Sequence, residues 1–244
     1  MAEVRNIVIL TGAGISAESG LATFRAEDGL WEGHRVEAVA TPQGFAVDPG
    51  LVHAFYDARR ARLAEVMPNA AHDALARLDA TWPGELLIVT QNVDDLHERA
   101  GAKRLVHMHG ELLRGWCLAC DGRFGWAAPM GEEAVCPACD AAGAVRPDIV
   151  WFGEMPYEME RIEAALRSCD LFVAVGTSGA VYPAAGFVQS AKYCGARTVE
   201  LNLYPGQGIA LFDETRVGRA TITVPALVEG ILNYGRSNLH DRRE

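Results

Sequence analysis

Short runs of aliphatic and β-branched residues recur along the chain at 6–11 (NIVILT), 86–90 (LLIVT), 171–176 (LFVAVG), 198–202 (TVELN) and 220–224 (ATITV). Unbroken apolar runs of this length suit strands buried on both faces, as in a parallel sheet. Between several of them, residues 49–66, 70–78, 158–167 and 183–193 carry apolar positions at three-to-four spacing, with Pro or Gly at many borders, and these read as helices. The alternation predicts an α/β protein built on a doubly wound parallel sheet.

The pattern breaks between about 114 and 146, where the chain becomes rich in Gly, Ala and Cys. We read this as a small module inserted into a single domain that spans 1–244. Within it, Cys117, Cys120, Cys136 and Cys139 form C-x2-C-x15-C-x2-C. Each pair supplies two thiolates from a tight loop, and the spacer brings the pairs together around one tetrahedral ion. Four thiolates leave no open coordination position, so the expected zinc fastens the insert and takes no part in bond making. Spacing alone does not separate zinc from iron. The other two cysteines, Cys169 and Cys194, sit in apolar stretches, and the polar end from about 235 reads as a frayed tail.

Composition narrows the functional classes. The chain has 244 residues, half of them hydrophobic, enough for one large core with a small insert. A formal charge of −10 argues against general or sequence-specific nucleic-acid binding, which usually shows as a basic excess. No stretch approaches the roughly 18 apolar residues of a membrane span, and the N-terminus lacks a basic segment followed by a long apolar run. A soluble, cytoplasmic and monomeric protein is expected.

Candidate chemistry clusters where strands end. Gly12, Ala13, Gly14, Ile15 and Ser16 follow the first strand, where a turn opening into a helix would offer backbone N–H groups to a pyrophosphate. The run lacks the third glycine of the usual dinucleotide fingerprint, and glycine turns after strands also occur for steric reasons alone. Gln91, Asn92 and Asp94 follow LLIVT and suit a ribose and a carboxamide, although Asn92 or Asp94 in such a place also suits a helix cap. Gly176, Thr177 and Ser178 follow the third run and Asn202 the fourth, and three such edges favour a nucleotide cleft. In 105–112 (LVHMHGEL), His107 and His109 alternate, so that on an extended strand both face one side, one as a base and the other as a packed neighbour, with Gly110 opening space beside the ring.

Taken in order, GAGIS-A-ESGL-A-T-F-R, TQNVD, HMHGE, the two C-x-x-C pairs, RPDIVWFGE and GTS make the chain resemble the sirtuins from residue 6 to about 232. The resemblance implies a Rossmann-like domain carrying a zinc ribbon, with NAD⁺ and an acyl-lysine peptide entering the cleft between them. It implies that NAD⁺ is consumed: nicotinamide leaves, the acyl oxygen joins the ribose C1′, and a histidine base, matched by His109, activates a ribose hydroxyl. A neutral imidazole suits that task because its unperturbed pKa lies near 6.5. By the same match Gly12, Ala13, Gly14 and Ile15 face the phosphates, Phe24 and Arg25 form a loop over the cofactor, and Gln91, Asn92 and Asp94 surround the nicotinamide ribose. Gly176, Thr177, Ser178 and Asn202 hold the adenosine side, and Trp31 and Ala220 complete the cofactor set. Phe24 would also shield the reactive ribose from water; its alternative is a core aromatic. Val150, Trp151, Phe152 and Gly153 match the segment to which an extended peptide adds through main-chain hydrogen bonds.

Two departures refine the expectation. Thr23 stands where many sirtuins carry Asp, and Thr resembles the class III branch. Tyr56 and Arg59, three apart on a predicted helix, resemble the class III acyl pocket, where they would bind the distal carboxylate of succinyl- or malonyl-lysine. The alternative is that Arg59, Arg60 and Arg62 are a solvated face and Tyr56 is core. The expected activity is thus desuccinylation and demalonylation, with weaker deacetylation. Competing classes are a zinc-ribbon binding module without catalysis, an oxidoreductase that retains its nicotinamide, and an ADP-ribosyltransferase.

Overall fold

The computed structural model describes residues 4–22, 30–31, 33–131, 133–204 and 206–240. The chain runs through β1 (Ile7–Thr11), β2 (Leu30–Trp31), β3 (His34–Arg35), α1 (Val36–Val39), α2 (Pro42–Val47), α3 (Pro49–Glu65), α4 (Ala70–Thr81), β4 (Leu86–Thr90), α5 (Leu96–Ala100) and β5 (Leu105–His107). It continues through β6 (Gly110–Cys117), β7 (Arg123–Gly125), β8 (Val145–Ile149), α6 (Met159–Ser168), β9 (Leu171–Val175), α7 (Phe187–Tyr193), β10 (Arg197–Asn202), β11 (Glu214–Val217) and α8 (Ala220–His240).

Six strands form one sheet in the order β5-β4-β1-β9-β10-β11, every neighbouring pair parallel. This is the doubly wound order, and its switch point lies between β1 and β9. β1, β4 and β9 are buried along their full length, as their unbroken apolar runs require. Side chains alternate across the sheet, so Ile7 and Ile9 pack with Leu75 and Leu78 of α4 and Leu227 of α8, whereas Val8 and Leu10 pack with Ile162 and Leu166 of α6 and Phe187 of α7.

Caps set the helix starts. Asp48 accepts from Leu51 N at 2.9 Å ahead of Pro49, and Asn69 accepts from Ala71 N at 2.9 Å, so side chains meet backbone donors that the first turn leaves free. A third core lies under α3, where Val52, Phe55, Tyr56 and Leu63 meet Leu96, Leu112, Ile149 and Trp151. Beyond it, β7-β6-β8 form an antiparallel sheet whose own core has only Cys117, Met130, Cys136 and Val145 fully buried.

Three expectations are corrected and one strand is added. Residues 220–224 open α8 and are not a strand; Val224, Leu227 and Val228 pack toward α4 at helical spacing, which overrides the β preference of ATITV. The edge strand is β11, too polar and half-exposed to stand out in sequence. The backbone of 235–240 continues α8 where a polar tail was expected, and 241–244 lie outside the described residues. Cys194 ends α7 and is exposed, unlike buried Cys169.

Candidate active site

One cavity of about 1150 Å³ opens along the C-terminal edge of the parallel sheet and runs between it and the β6–β8 module. Its size and its place at the switch point fit a dinucleotide together with a second ligand. Gly12, Ala13 and Gly14 after β1, Gln91, Asn92 and Asp94 after β4, Gly176, Thr177 and Ser178 after β9, and Asn202 after β10 all line it. So do Trp31, Tyr56, Arg59, His109, Val150, Trp151, Phe152, Gly153 and Ala220. Ile15 is in the turn, but its side chain is buried in the core below. Thr23, Phe24 and Arg25 lie outside the described residues.

The first glycine turn differs from expectation. It leads into two short 3₁₀ turns, Ala13–Ile15 and Ala17–Ser19, and no α-helix follows it among the described residues up to Ala22. Its glycines permit contact between two backbones: Gly14 N–H donates to Gly176 O at 2.8 Å, and a Cβ on Gly14 would lie 2.6 Å from Gly176 Cα. Gly176 itself has φ +60°, in the left-handed region that favours glycine. This floor without side chains leaves backbone and open space for a phosphate-bearing ligand. Gly14→Ala must push the β1 and β9 turns apart, which should cost about 1–3 kcal/mol and weaken nucleotide binding. Thermal unfolding with and without nucleotide would show both; an unchanged midpoint would disprove the tight interlock.

The polar groups at the strand ends brace one another. Gln91 Nε2 donates to Thr177 Oγ1 at 3.0 Å, and Asn202 Nδ2 donates to Thr177 O at 2.8 Å. Asn92 Nδ2 donates to Ser16 Oγ at 3.1 Å, and Ser16 Oγ donates to Asp94 Oδ2 at 2.9 Å. Asp94 also accepts from Leu96 N at 3.2 Å, so it helps to cap α5 as well as lining the cleft. Burial raises its carboxyl above the usual range against these donors. Below lie two histidines that the sequence reading did not single out. His72 lies 3.4 Å from Ser16 Oγ, and His97 lies 3.0 Å from Thr11 Oγ1, both through Nε2. Burial brings His72 down to about 4 and His97 well below its ordinary value, so both are neutral at pH 7. His72 reads locally as part of a helix capping box, and only the fold brings it under the cleft.

His107 and His109 do not share a strand face, because β5 ends at His107 and the chain turns before β6. His107 points away from the cleft, with Nδ1 3.0 Å from Asn92 O and Nε2 2.6 Å from Glu98. His109 enters the cleft. Its Nδ1 lies 3.2 Å from Gln91 O, and a carbonyl can only accept, so Nδ1 carries the proton and Nε2 keeps its lone pair. Burial pushes its pKa below the usual histidine range, only partly offset by that carbonyl, so the neutral base prevails at pH 7. Gly110 does not clear space for this ring. It has φ +83°, and a Cβ there would meet Asp148 O at 2.1 Å, so its smallness serves the approach of β6 to β8.

Tyr56 and Arg59 lie together on α3 and line the same cavity. The guanidinium of Arg59 stacks 3.2 Å from the Phe55 ring centre and 4.6 Å from that of Trp31. Tyr56 is both a core residue and a lining residue, and burial pushes its phenol well above the ordinary value. The basic run is not one solvated face: Arg60 is buried, pairs with Asp57 and donates to Leu112 O at 3.2 Å, whereas Arg62 is exposed and pairs with Glu65 at 2.7 Å. Asp57 also accepts from Met130 N at 2.8 Å, which pins the small module to α3. Residues 150–153 leave β8 as an irregular loop. Val150 N donates to His109 O and Phe152 N to Ala40 O, so these N–H groups are already used within the chain.

The four cysteine sulfurs lie within 4.8 Å of one another, with Cys117–Cys139 and Cys120–Cys136 both at 3.8 Å. A disulfide requires about 2.05 Å. Tetrahedral zinc with bonds of about 2.3 Å has sulfur–sulfur edges of about 3.8 Å, so the donor set fits that ion.

Fold and site together define a nucleotide-binding α/β protein with a metal-organised module facing the cleft. Comparison with known proteins takes this further. The Sir2 family profile matches residues 12–183. The NAD-dependent protein deacylase of Pasteurella multocida (strain Pm70) is 58% identical over 221 residues, covering 90% of this chain and 94% of that protein. The crystal structure of a Sir2 homologue in complex with NAD superposes with a TM-score of 0.86 at 36% identity, covering 96% of this chain and 91% of that one. A Sir2 bound to acetylated peptide gives 0.80 at 26% identity over 93% and 94% of the two chains. The chain belongs to the Sir2 family. Among the described residues, no helix is long and apolar enough to cross a membrane.

Proposed function

We infer that this chain is an NAD⁺-dependent protein-lysine deacylase that prefers succinyl- and malonyl-lysine to acetyl-lysine. One observation carries the reading: a single cavity joins the strand-end groups, the neutral base His109 and the Tyr56/Arg59 pair. The family relationship and the relatives' deacylase activity support the reaction, and the Sir2 bound to acetylated peptide supports the peptide side.

NAD⁺, bound at the strand ends, supplies a ribose whose C1′ receives the acyl oxygen as nicotinamide leaves. Gly12, Ala13, Gly14 and Gly176 offer side-chain-free backbone to its phosphates, while Ile15 acts only through the backbone of the turn. Gln91, Asn92 and Asp94 bind around the nicotinamide ribose, and Thr177, Ser178, Asn202 and Ala220 line the adenosine side. His109 Nε2 takes a hydroxyl proton, and the Gln91 carbonyl holds its tautomer. Residues 150–153 frame the peptide, and Trp31 completes the cofactor set. Phe24 and Arg25 would cover the cofactor. Cys117, Cys120, Cys136 and Cys139 hold one structural zinc within an inserted module of one catalytic domain. The protein acts as a cytoplasmic monomer on acyl-lysine proteins.

Arg59 offers a planar cation for a carboxylate, and a charge-assisted contact of this kind contributes about 1.5–3 kcal/mol. Matched acetyl-, malonyl- and succinyl-peptides, followed by mass and nicotinamide release, test the reading. NAD⁺-dependent loss of succinyl and malonyl in preference to acetyl is expected, and Arg59→Met should lower kcat/KM for succinyl-peptide at least about tenfold. Loss of acetyl alone would overturn the acidic preference, and no loss of any acyl group would overturn the enzyme reading.

A further inference from the structure

The Tyr56 side chain is wholly enclosed, yet it forms part of the cavity wall. Trp151 Nε1 donates to Tyr56 Oη at 3.0 Å. An indole N–H only donates, so this bond uses a lone pair of the phenol oxygen and leaves the phenol proton for another acceptor. Among the described residues none takes it. An enclosed hydroxyl proton without an acceptor is costly, and a ligand oxygen reaching that point removes the cost.

The indole is held firmly. The Arg146 guanidinium lies 3.3 Å from the Trp151 ring centre. Arg146 is itself fixed by Glu154 at 2.7 and 3.0 Å and by Ile149 O at 2.7 Å. Glu154 also accepts the Trp151 backbone N–H at 2.8 Å. The ring is thus clamped on its face and at its backbone, with Nε1 aimed at the phenol.

The geometry points to Trp151 as a positioning residue for acyl selectivity: its indole N–H turns the Tyr56 hydroxyl into a donor aimed at the ligand, and Arg146 holds the indole in that pose. The inference rests on the acidic-acyl reading above. A donor beside the Arg59 cation is matched by the oxygens of a distal carboxylate. The methyl end of an acetyl group leaves it unmatched, so removing the Trp151 donor blurs the distinction by letting the phenol rotate.

The test compares kcat/KM for succinyl- and acetyl-peptides of one sequence in the zinc-loaded enzyme and in Tyr56→Phe, Trp151→Phe and the double variant. Tyr56→Phe is expected to lower the succinyl-to-acetyl ratio about tenfold and Trp151→Phe about fivefold. The double variant should match Tyr56→Phe alone, because Trp151 acts through the phenol. A purely structural role for the indole would lower both substrates together, or add to the Tyr56→Phe effect, and either result overturns the inference. If Tyr56→Phe leaves the ratio unchanged, the acidic-acyl reading itself falls. If Tyr56→Phe lowers it and Trp151→Phe does not, only the present inference falls. Should Trp151→Phe not fold, Arg146→Lys keeps the charge and removes the planar stack on the indole. It should lower the ratio about threefold only where Tyr56 is present, and an unchanged ratio overturns the inference equally.

Discussion

Replacing His109 by Asn is expected to lower deacylation of every acyl-peptide by about 10²–10⁴-fold, the usual contribution of a positioned base, while the protein stays folded. Among the described residues the ring joins no core cluster and its one hydrogen bond is to Gln91 O, so its removal leaves the sheet and its caps untouched. Succinyl- and acetyl-peptides should lose activity together, which separates this effect from that of Arg59→Met. The same residue fixes the acid limb of the pH profile. Burial lowers the His109 pKa, so the unprotonated form persists to more acidic solution than for a free imidazole near 6.5. Turnover should therefore hold as pH falls to about 6.5 and drop only below it. Thermal melts, kcat at saturating peptide and NAD⁺, and a pH series would check all three points. A His109→Asn variant with more than a tenth of normal turnover would remove the residue from the base role.

The second large effect is expected from the metal. Cys136→Ser removes one of four thiolates from a module whose own buried core is four residues, two of them ligands. So small a core does not stabilise a sheet without a staple, and a structural zinc contributes on the order of 10 kcal/mol in isolated fingers. The variant should lose its bound zinc, and the β6–β8 sheet should come apart while the parallel sheet keeps its helices. Activity should fall to background even though no cysteine reaches the base. β8 carries Arg146 into the clamp on Trp151, and Met130 N–H docks on Asp57 of α3, so loss of the module releases one wall of the cleft. Metal analysis, amide hydrogen exchange and peptide turnover should change together. Full zinc content in active Cys136→Ser would disprove the tetrahedral site, and a zinc-free protein of normal activity would disprove the mechanical link.

Legibility in the sequence followed the range of the interactions. β1, β4 and β9 were readable because a strand buried on both faces needs an unbroken apolar run, whatever lies around it. The cysteine site was readable for a similar reason, since two tight thiolate loops are a local device. Residues 220–224 misled because β-branched residues express a weak preference, and the packing of Val224, Leu227 and Val228 toward α4 outweighs it. β11 was hidden because an edge strand at the sheet margin needs few apolar residues. His107 and His109 misled because alternation has meaning only while a strand continues, and this one ends between them.

By itself, the sequence determined the parallel α/β frame, the glycine turn at its first strand end, the four-thiolate set and the motifs that mark the Sir2 family, because each is written in neighbouring residues or in fixed short spacing. The motif match already favoured His109; only the tertiary structure supplied the reason that it and not His107 lines the cleft, and only it decided that His72 and His97 lie neutral beneath, that Gly14 yields room to Gly176, and that Trp151 reaches the Tyr56 phenol. Those relations join residues 18 to 162 positions apart or depend on where a strand stops. Burial, desolvation and hydrogen-bond direction at such contacts arise only once the chain has closed upon itself.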